Sequence, residues 1–152
     1  IPIDYRKEDF VAQVLTATNG QGVDMVFDTI GGKNWSRSYR CVKKGGVLVA
    51  FGALQYTTGQ EKVPSMLFGF FKLLVGWRLL PDGRSSTFYN IHTRRKKYPD
   101  EFKADVMALF ALLQAGKLKP AIAEVVPLDD VVAVHRRIDN AEIAGKVVLD
   151  CT

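Results

Sequence analysis

The sequence predicts an α/β fold built on a parallel sheet, and three stretches carry that prediction. Residues 23–28 form a near-continuous apolar run interrupted only by Asp24 before Asp28 closes it, and residues 47–51 form another with no charge at all. Strands buried on both faces of a parallel sheet read this way. Between them Trp35, Tyr39 and Val42 recur at i, i+4 and i+7, while Arg37, Arg40, Lys43 and Lys44 fall elsewhere. That is one apolar stripe on a helix, which should stop at Gly45 and Gly46.

The unit is therefore β-α-β. A crossover of this length returns the chain parallel to its first strand, so both strand C-termini open on the same edge. In open α/β sheets that edge binds the ligand. Here it carries Asp28, Thr29, Ile30, Gly31 and Gly32 from the first strand, and Phe51, Gly52 and Ala53 from the second. The glycines either supply turn geometry or let a ligand touch backbone.

Upstream, residues 1–5 read as the end of a short strand, followed by a helix with Glu8 and Asp9 at its N-terminus. Phe10, Val11, Val14 and Leu15 line one face until Asn19-Gly20. Downstream of Phe51 regularity is lost through Thr57, Thr58 and Gly59. Residues 64–80 are then strongly apolar, too short and interrupted to span a bilayer comfortably, and read as an amphipathic helix. Its apolar residues crowd more than half the circumference, so it packs on the sheet edge, covers a cleft, or touches a partner or membrane surface. Pro81-Asp82-Gly83 is a turn and residues 86–91 a strand.

Proline in its first turn starts the next helix at Pro99, with Phe102, Val106, Leu109, Phe110 and Leu113 as its buried face and Gly116 as its end. Residues 119–128 read as extended. Val131, Val132, His135 and Ile138 mark a helix face, and residues 145–151 a last apolar strand.

At 152 residues and 47% hydrophobic, with mean hydropathy near zero, the chain fits one globular domain rather than a disordered segment. Its net charge of +5 comes partly from Arg94, Arg95, Lys96 and Lys97, a run that reads as a solvated loop and matches no nucleic-acid motif. Cys41 and Cys151 lie far apart without metal-ligand spacing, as expected of reduced thiols in a cytoplasmic protein. His92 and His135 lack a nucleophile or acidic partner at recognisable spacing, so no catalytic residue is assigned. The chain opens without methionine and inside an expected strand, which suggests a fragment.

Four segments, residues 3–6 (Ile-Asp-Tyr-Arg), 22–32 (Gly-Val-Asp-Met-Val-Phe-Asp-Thr-Ile-Gly-Gly), 45–52 (Gly-Gly-Val-Leu-Val-Ala-Phe-Gly) and 145–149 (Gly-Lys-Val-Val-Leu), stand in an order that resembles the C-terminal part of medium-chain dehydrogenases/reductases. The similarity is to their zinc-independent quinone oxidoreductase branch and covers nearly the whole chain. It implies a partial Rossmann-like parallel sheet holding strands three to six of the doubly wound domain, with a C-terminal β-α-β return segment. Residues 1–116 would be the partial nucleotide-binding domain, and 117–152 would rejoin a catalytic domain.

The resemblance implies NADPH as cofactor, with NAD not excluded, and hydride delivery to a quinone or α,β-unsaturated carbonyl. It implies a homodimer and no metal in this chain. Tyr5 would lie beside the adenosine end, Thr29 and Ile30 would flank adenine and ribose with Gly31 in the same loop, and Phe51, Gly52 and Ala53 would run along the nicotinamide ribose. Lys146 would contact a phosphate. The glycine-rich phosphate turn is absent, so the isolated chain is expected to bind dinucleotide poorly and be inactive, to leave a sheet edge open and to self-associate. The rival reading is a non-enzymatic membrane- or partner-binding module using residues 64–80.

Overall fold

A computed structural model describes residues 1–57, 59 and 62–152, so Thr58 of the irregular stretch lies outside the described residues. The chain divides into two compact units, Ile1–Thr93 and Arg94–Thr152. The α/β class and the parallel pairing are as the sequence predicts.

In the first unit, α1 (Phe10–Ala17) precedes β1 (Val23–Asp28), α2 (Lys33–Arg40) and β2 (Val42–Ala50). A short α3 (Leu54–Thr57), α4 (Val63–Leu74), a 3-10 turn (Gly76–Leu79) and β3 (Ser85–Phe88) follow. The sheet order is β1-β2-β3, all parallel, with Asp28 opposite Ala50 and Ala50 opposite Phe88. Asp9 caps α1 by accepting the Val11 amide at 3.1 Å, which satisfies one of the helix's orphan donors.

One face of this sheet is built. Leu48 and Ala50 of β2 pack under Trp35 and Tyr39 of α2, Leu73 of α4 and Trp77 of the 3-10 turn, with Val26, Phe70 and Phe88 at the margin. Trp35 is fully buried and meets Phe70 edge-on at 5.0 Å and Phe88 at 6.2 Å. Each such large apolar side chain contributes about 1.5–3 kcal/mol by leaving water. The Ser86 hydroxyl donates to the Leu73 carbonyl at 2.6 Å, which satisfies one of the carbonyls α4 leaves open at its C-terminus.

Several expectations are corrected here. Residues 1–5 form no strand, because β1 is the end of the sheet and no described strand lies beyond it to complete a ladder. β1 is also not buried on both faces, because only one face of the sheet is covered: Met25 and Phe27 on the other are exposed. α2 stops at Arg40 rather than at Gly45, since Val42 already pairs with Val23 in the sheet. Gly45 and Gly46 lie instead inside β2, in a bulge between Val42 and Val47. β3 ends at Phe88, because the Asn90 side chain accepts the amides of His92 and Thr93 at 3.0 and 3.1 Å and starts a helix. That helix, α5 (Ile91–Lys97), carries the basic run in its last turn, so Arg94 to Lys97 are helical rather than loop.

The second unit holds α6 (Pro99–Gln114), β4 (Ile122–Pro127), a 3-10 turn (Leu128–Asp130), α7 (Val131–Asp139) and β5 (Lys146–Asp150). β4 and β5 pair in parallel. On α6, Phe102 and Val106 are half-buried, but Leu109, Phe110 and Leu113 are exposed instead of buried. On α7 the inward residues are Val131 and Val134, whereas Val132, His135 and Ile138 face solvent. The sequence stripe was out of phase by one position, which valines at three of the helix's first four positions make easy.

Candidate functional site

The site is assembled at the C-terminal edge of β1 and β2, and Asp28 organises it. This carboxylate is buried, with four donors around it. The amides of Ile30 and Gly31 donate to Oδ1 at 2.8 and 3.1 Å. From α2, the Asn34 amide donates to Oδ2 at 2.9 Å and the Ser38 hydroxyl at 2.6 Å. A buried charge so surrounded is compensated, and it fixes the loop after β1 to the helix that follows.

That loop is joined to the one after β2 along the backbone. The Phe51 amide donates to the Asp28 carbonyl at 3.0 Å, Leu54 to Thr29 at 3.2 Å and Gln55 to Ile30 at 2.9 Å. Gly31 has φ +87°, and a Cβ on it would stand 2.9 Å from the Ala53 Cα; a Cβ on Gly52 would stand 2.7 Å from the Thr29 carbonyl oxygen. Both glycines are needed so that the two loops can touch each other.

Beside this seam lies a groove of about 550 Å³. Tyr5, Phe10, Thr29, Ile30, Arg37 and Gln55 are among its lining residues. Arg37 lies 4.4 Å from the Phe10 ring centroid and pairs with Asp9 at 2.8 Å. The hydrogen bond from Arg37 is the main cause holding the Asp9 carboxyl below its usual range, so Asp9 offsets the Arg37 charge beside the groove. Gln55 Oε1 is a buried acceptor with no hydrogen-bond partner among the described residues.

Of the residues expected from sequence, Tyr5, Thr29 and Ile30 line the groove, and Gly31, Phe51, Gly52 and Ala53 form the adjoining seam. Lys146 lies in the second unit, exposed on β5 opposite Ile122. The sequence reading missed Phe10, Asn34, Arg37, Ser38 and Gln55. A signal existed for two of them: Asn34 and Ser38 stand at i and i+4 on the helix after a buried Asp28, the spacing that puts both on one face.

Among the described residues no group of three His, Cys, Asp or Glu side chains could hold a metal ion. Burial pushes the Cys41 thiol above its usual range, which suits an inert packed thiol. His92 and His135 are exposed, on α5 and α7 respectively.

A family profile described as zinc-binding dehydrogenase matches residues 1–149. The synaptic vesicle membrane protein VAT-1 homolog of Danio rerio is 28% identical over 97% of this chain and 31% of its own length. Quinone oxidoreductase 1 of Escherichia coli is 29% identical over 97% of the chain and 42% of its own. Among solved structures, a Pseudomonas syringae quinone oxidoreductase superposes with a TM-score of 0.69 at 23% identity, over 98% of this chain and 42% of that one. The chain thus spans less than half the length of the proteins it matches.

Proposed function

The chain belongs to the zinc-binding dehydrogenase family, and we propose that it is the cofactor-binding part of an oxidoreductase that reduces quinones or α,β-unsaturated carbonyls with NADPH. The observation that carries this reading is the seam between the loops after β1 and β2, with a groove beside it at the sheet edge where α/β folds take dinucleotides. The name of the Escherichia coli relative supports the quinone class.

The groove fits such a cofactor on two counts. Tyr5 and Ile30 offer exposed apolar faces for an adenine ring, and Gln55 Oε1 is a buried acceptor without a donor among the described residues. When bound, the reduced nicotinamide supplies the hydride. The chain's own residues bind and orient: Tyr5, Thr29 and Ile30, with Gly31 shaping their loop, hold the adenosine side, and Phe51, Gly52 and Ala53 shape the nicotinamide side. Lys146 is assigned to a phosphate contact in the assembled enzyme. NADH is the alternative the same residues admit. None of these side chains is assigned as a proton donor, and the described residues do not assemble a zinc site.

Residues 1–116 are assigned to the nucleotide-binding part and 117–152 to the return segment. The protein is proposed to be cytoplasmic and homodimeric, pairing through the open edge of β1 or through β3, the two ends of the sheet. A monomer at every concentration by light scattering would remove the dimer.

The test is a titration of NADPH, followed by nicotinamide fluorescence, into this chain and into a version extended upstream through a glycine-rich phosphate turn. The turn supplies a helix N-terminus for the pyrophosphate, so the extended protein should bind roughly tenfold tighter or more, and only it should be active. Binding by neither would leave the family resemblance as one of fold alone.

A further inference from the structure

The apolar residues of α4 divide into two sets. Gly69, Phe70 and Leu73, with Trp77 of the following 3-10 turn, face the core, where Trp77 stacks on Tyr39 at 4.4 Å and 8°. These contacts fix the rotation of the helix. The second set is left in solvent: Leu67 at 62% exposure, Phe68 at 61%, Phe71 at 55% and Leu74 at 43%. At i, i+1, i+4 and i+7 they form one stripe, and Leu79 extends the exposed apolar surface beyond the helix.

Among the described residues of this segment the charges have one sign. From Lys62 to Pro81 the sequence holds Lys62, Lys72 and Arg78 and no carboxylate, while the preceding Glu61 lies outside the described residues. Lys62 and Arg78 are exposed; Lys72 reaches the Ser36 hydroxyl at 3.0 Å across the Phe68 ring. The next carboxylate, Asp82, is already engaged by Arg84 and Tyr39. α6 supplies the contrast, since Met107, Leu109 and Phe110 are also exposed there but stand on a helix carrying Asp100, Glu101 and Asp105 against Lys103.

We propose that α4 is a docking surface for an anionic lipid bilayer, with Leu67, Phe68, Phe71 and Leu74 at the acyl boundary and Lys62 and Arg78 among the headgroups. An amphipathic helix binds such a surface by apolar burial together with attraction between its cations and the lipid charge. A second copy of the chain suits the face less well. A two-fold interface sets a patch against itself, and here that brings cations toward cations. The inference does not rest on the oxidoreductase reading, since no residue of the stripe belongs to the groove.

The experiment is flotation of the chain with vesicles of phosphatidylcholine alone and of phosphatidylcholine doped with phosphatidylserine, at low and high salt, with light scattering on the same protein. The chain should float with the anionic vesicles, and less so at high salt. Leu67→Gln with Phe71→Gln, and separately Lys62→Glu with Arg78→Glu, should each weaken binding roughly tenfold or more. Leu109→Gln with Phe110→Gln on α6 should leave it unchanged. All substituted side chains are exposed, and circular dichroism confirms that each variant is folded. Flotation absent from anionic vesicles, or unaffected by either α4 pair, overturns the proposal. So does a dimer that Leu67→Gln with Phe71→Gln dissolves, which assigns the stripe to a second copy.

Discussion

The Ser38 hydroxyl donates to Asp28 Oδ2 at 2.6 Å, with both residues buried, and this bond fastens α2 to the end of β1. Asp28→Ala leaves the Ile30, Gly31, Asn34 and Ser38 donors without their acceptor, and unsatisfied buried groups cost about 1–3 kcal/mol each before relaxation. A loss of about 3 kcal/mol or more is expected. Asp28→Asn should cost only about 1 kcal/mol, because the Asn34 amide and the Ser38 hydroxyl can both turn to accept. Urea denaturation with unchanged slope measures both. Equal losses for the two variants would show that the negative charge and second acceptor oxygen, which Asn lacks, hold the four donors.

The seam between the loops sets the second prediction. Gly31→Ala combines a left-handed φ of +87° with a 2.9 Å approach to Ala53, and Gly52→Ala meets the Thr29 carbonyl at 2.7 Å. Gly20 also has positive φ, at +80°, but nothing within 4 Å of its Cβ direction. Gly20→Ala should therefore cost about 1 kcal/mol from backbone strain, and the two seam variants about 2 kcal/mol or more. If Gly20→Ala costs as much as Gly31→Ala, backbone strain rather than loop contact explains Gly31; Gly52 has no positive φ, so a loss at Gly52→Ala below about 1 kcal/mol would remove the loop contact there.

What was legible in the sequence follows from how far neighbouring residues alone determine structure. β1 and the centre of β2 announce themselves because an apolar run between glycines has few alternatives. Val42 misled because it continues the Trp35–Tyr39 helical stripe by coincidence while its backbone belongs to the strand opposite Val23. α4 was recognisable as a helix but not its inward face: with apolar residues nearly all round, only the tertiary positions of Trp35 and Phe88 choose Phe70 over Phe71. At the site, glycines and strand ends pointed to the seam. Arg37 and Gln55 carried no local signal, since the groove draws them from separate elements.

Stability should fall at both ends of the pH range through one pair. The Tyr39 hydroxyl donates to Asp82 at 3.2 Å, and Arg84 also bonds Asp82. Burial, then Asp82, raises the Tyr39 hydroxyl above its ordinary 10.0, so its contribution is complete below pH 10 and is lost as pH rises beyond. The Arg84 amide foremost holds Asp82 below its ordinary 3.8, so its contribution is complete above pH 4 and is lost as pH falls through the folded value. Urea midpoints against pH should show a shallower alkaline decline in Tyr39→Phe and a shallower acid decline in Asp82→Asn. Parallel curves for wild type and variants would mean that the pair does not govern either limb.

Tyr5 separates binding from folding. It is 72% exposed and stands at the groove, so Tyr5→Ala should change stability by no more than about 0.5 kcal/mol. An aromatic face against adenine is worth about 1 kcal/mol, which corresponds to roughly a fivefold weaker Kd. The measurement is NADPH titration of the upstream-extended protein with and without the substitution. A weaker Kd with an unchanged urea midpoint assigns Tyr5 to the adenosine end. An unchanged Kd would move the adenine away from Tyr5 toward the Ile30 side, and a lowered midpoint would make Tyr5 a structural residue that holds residues 1–9 against α1.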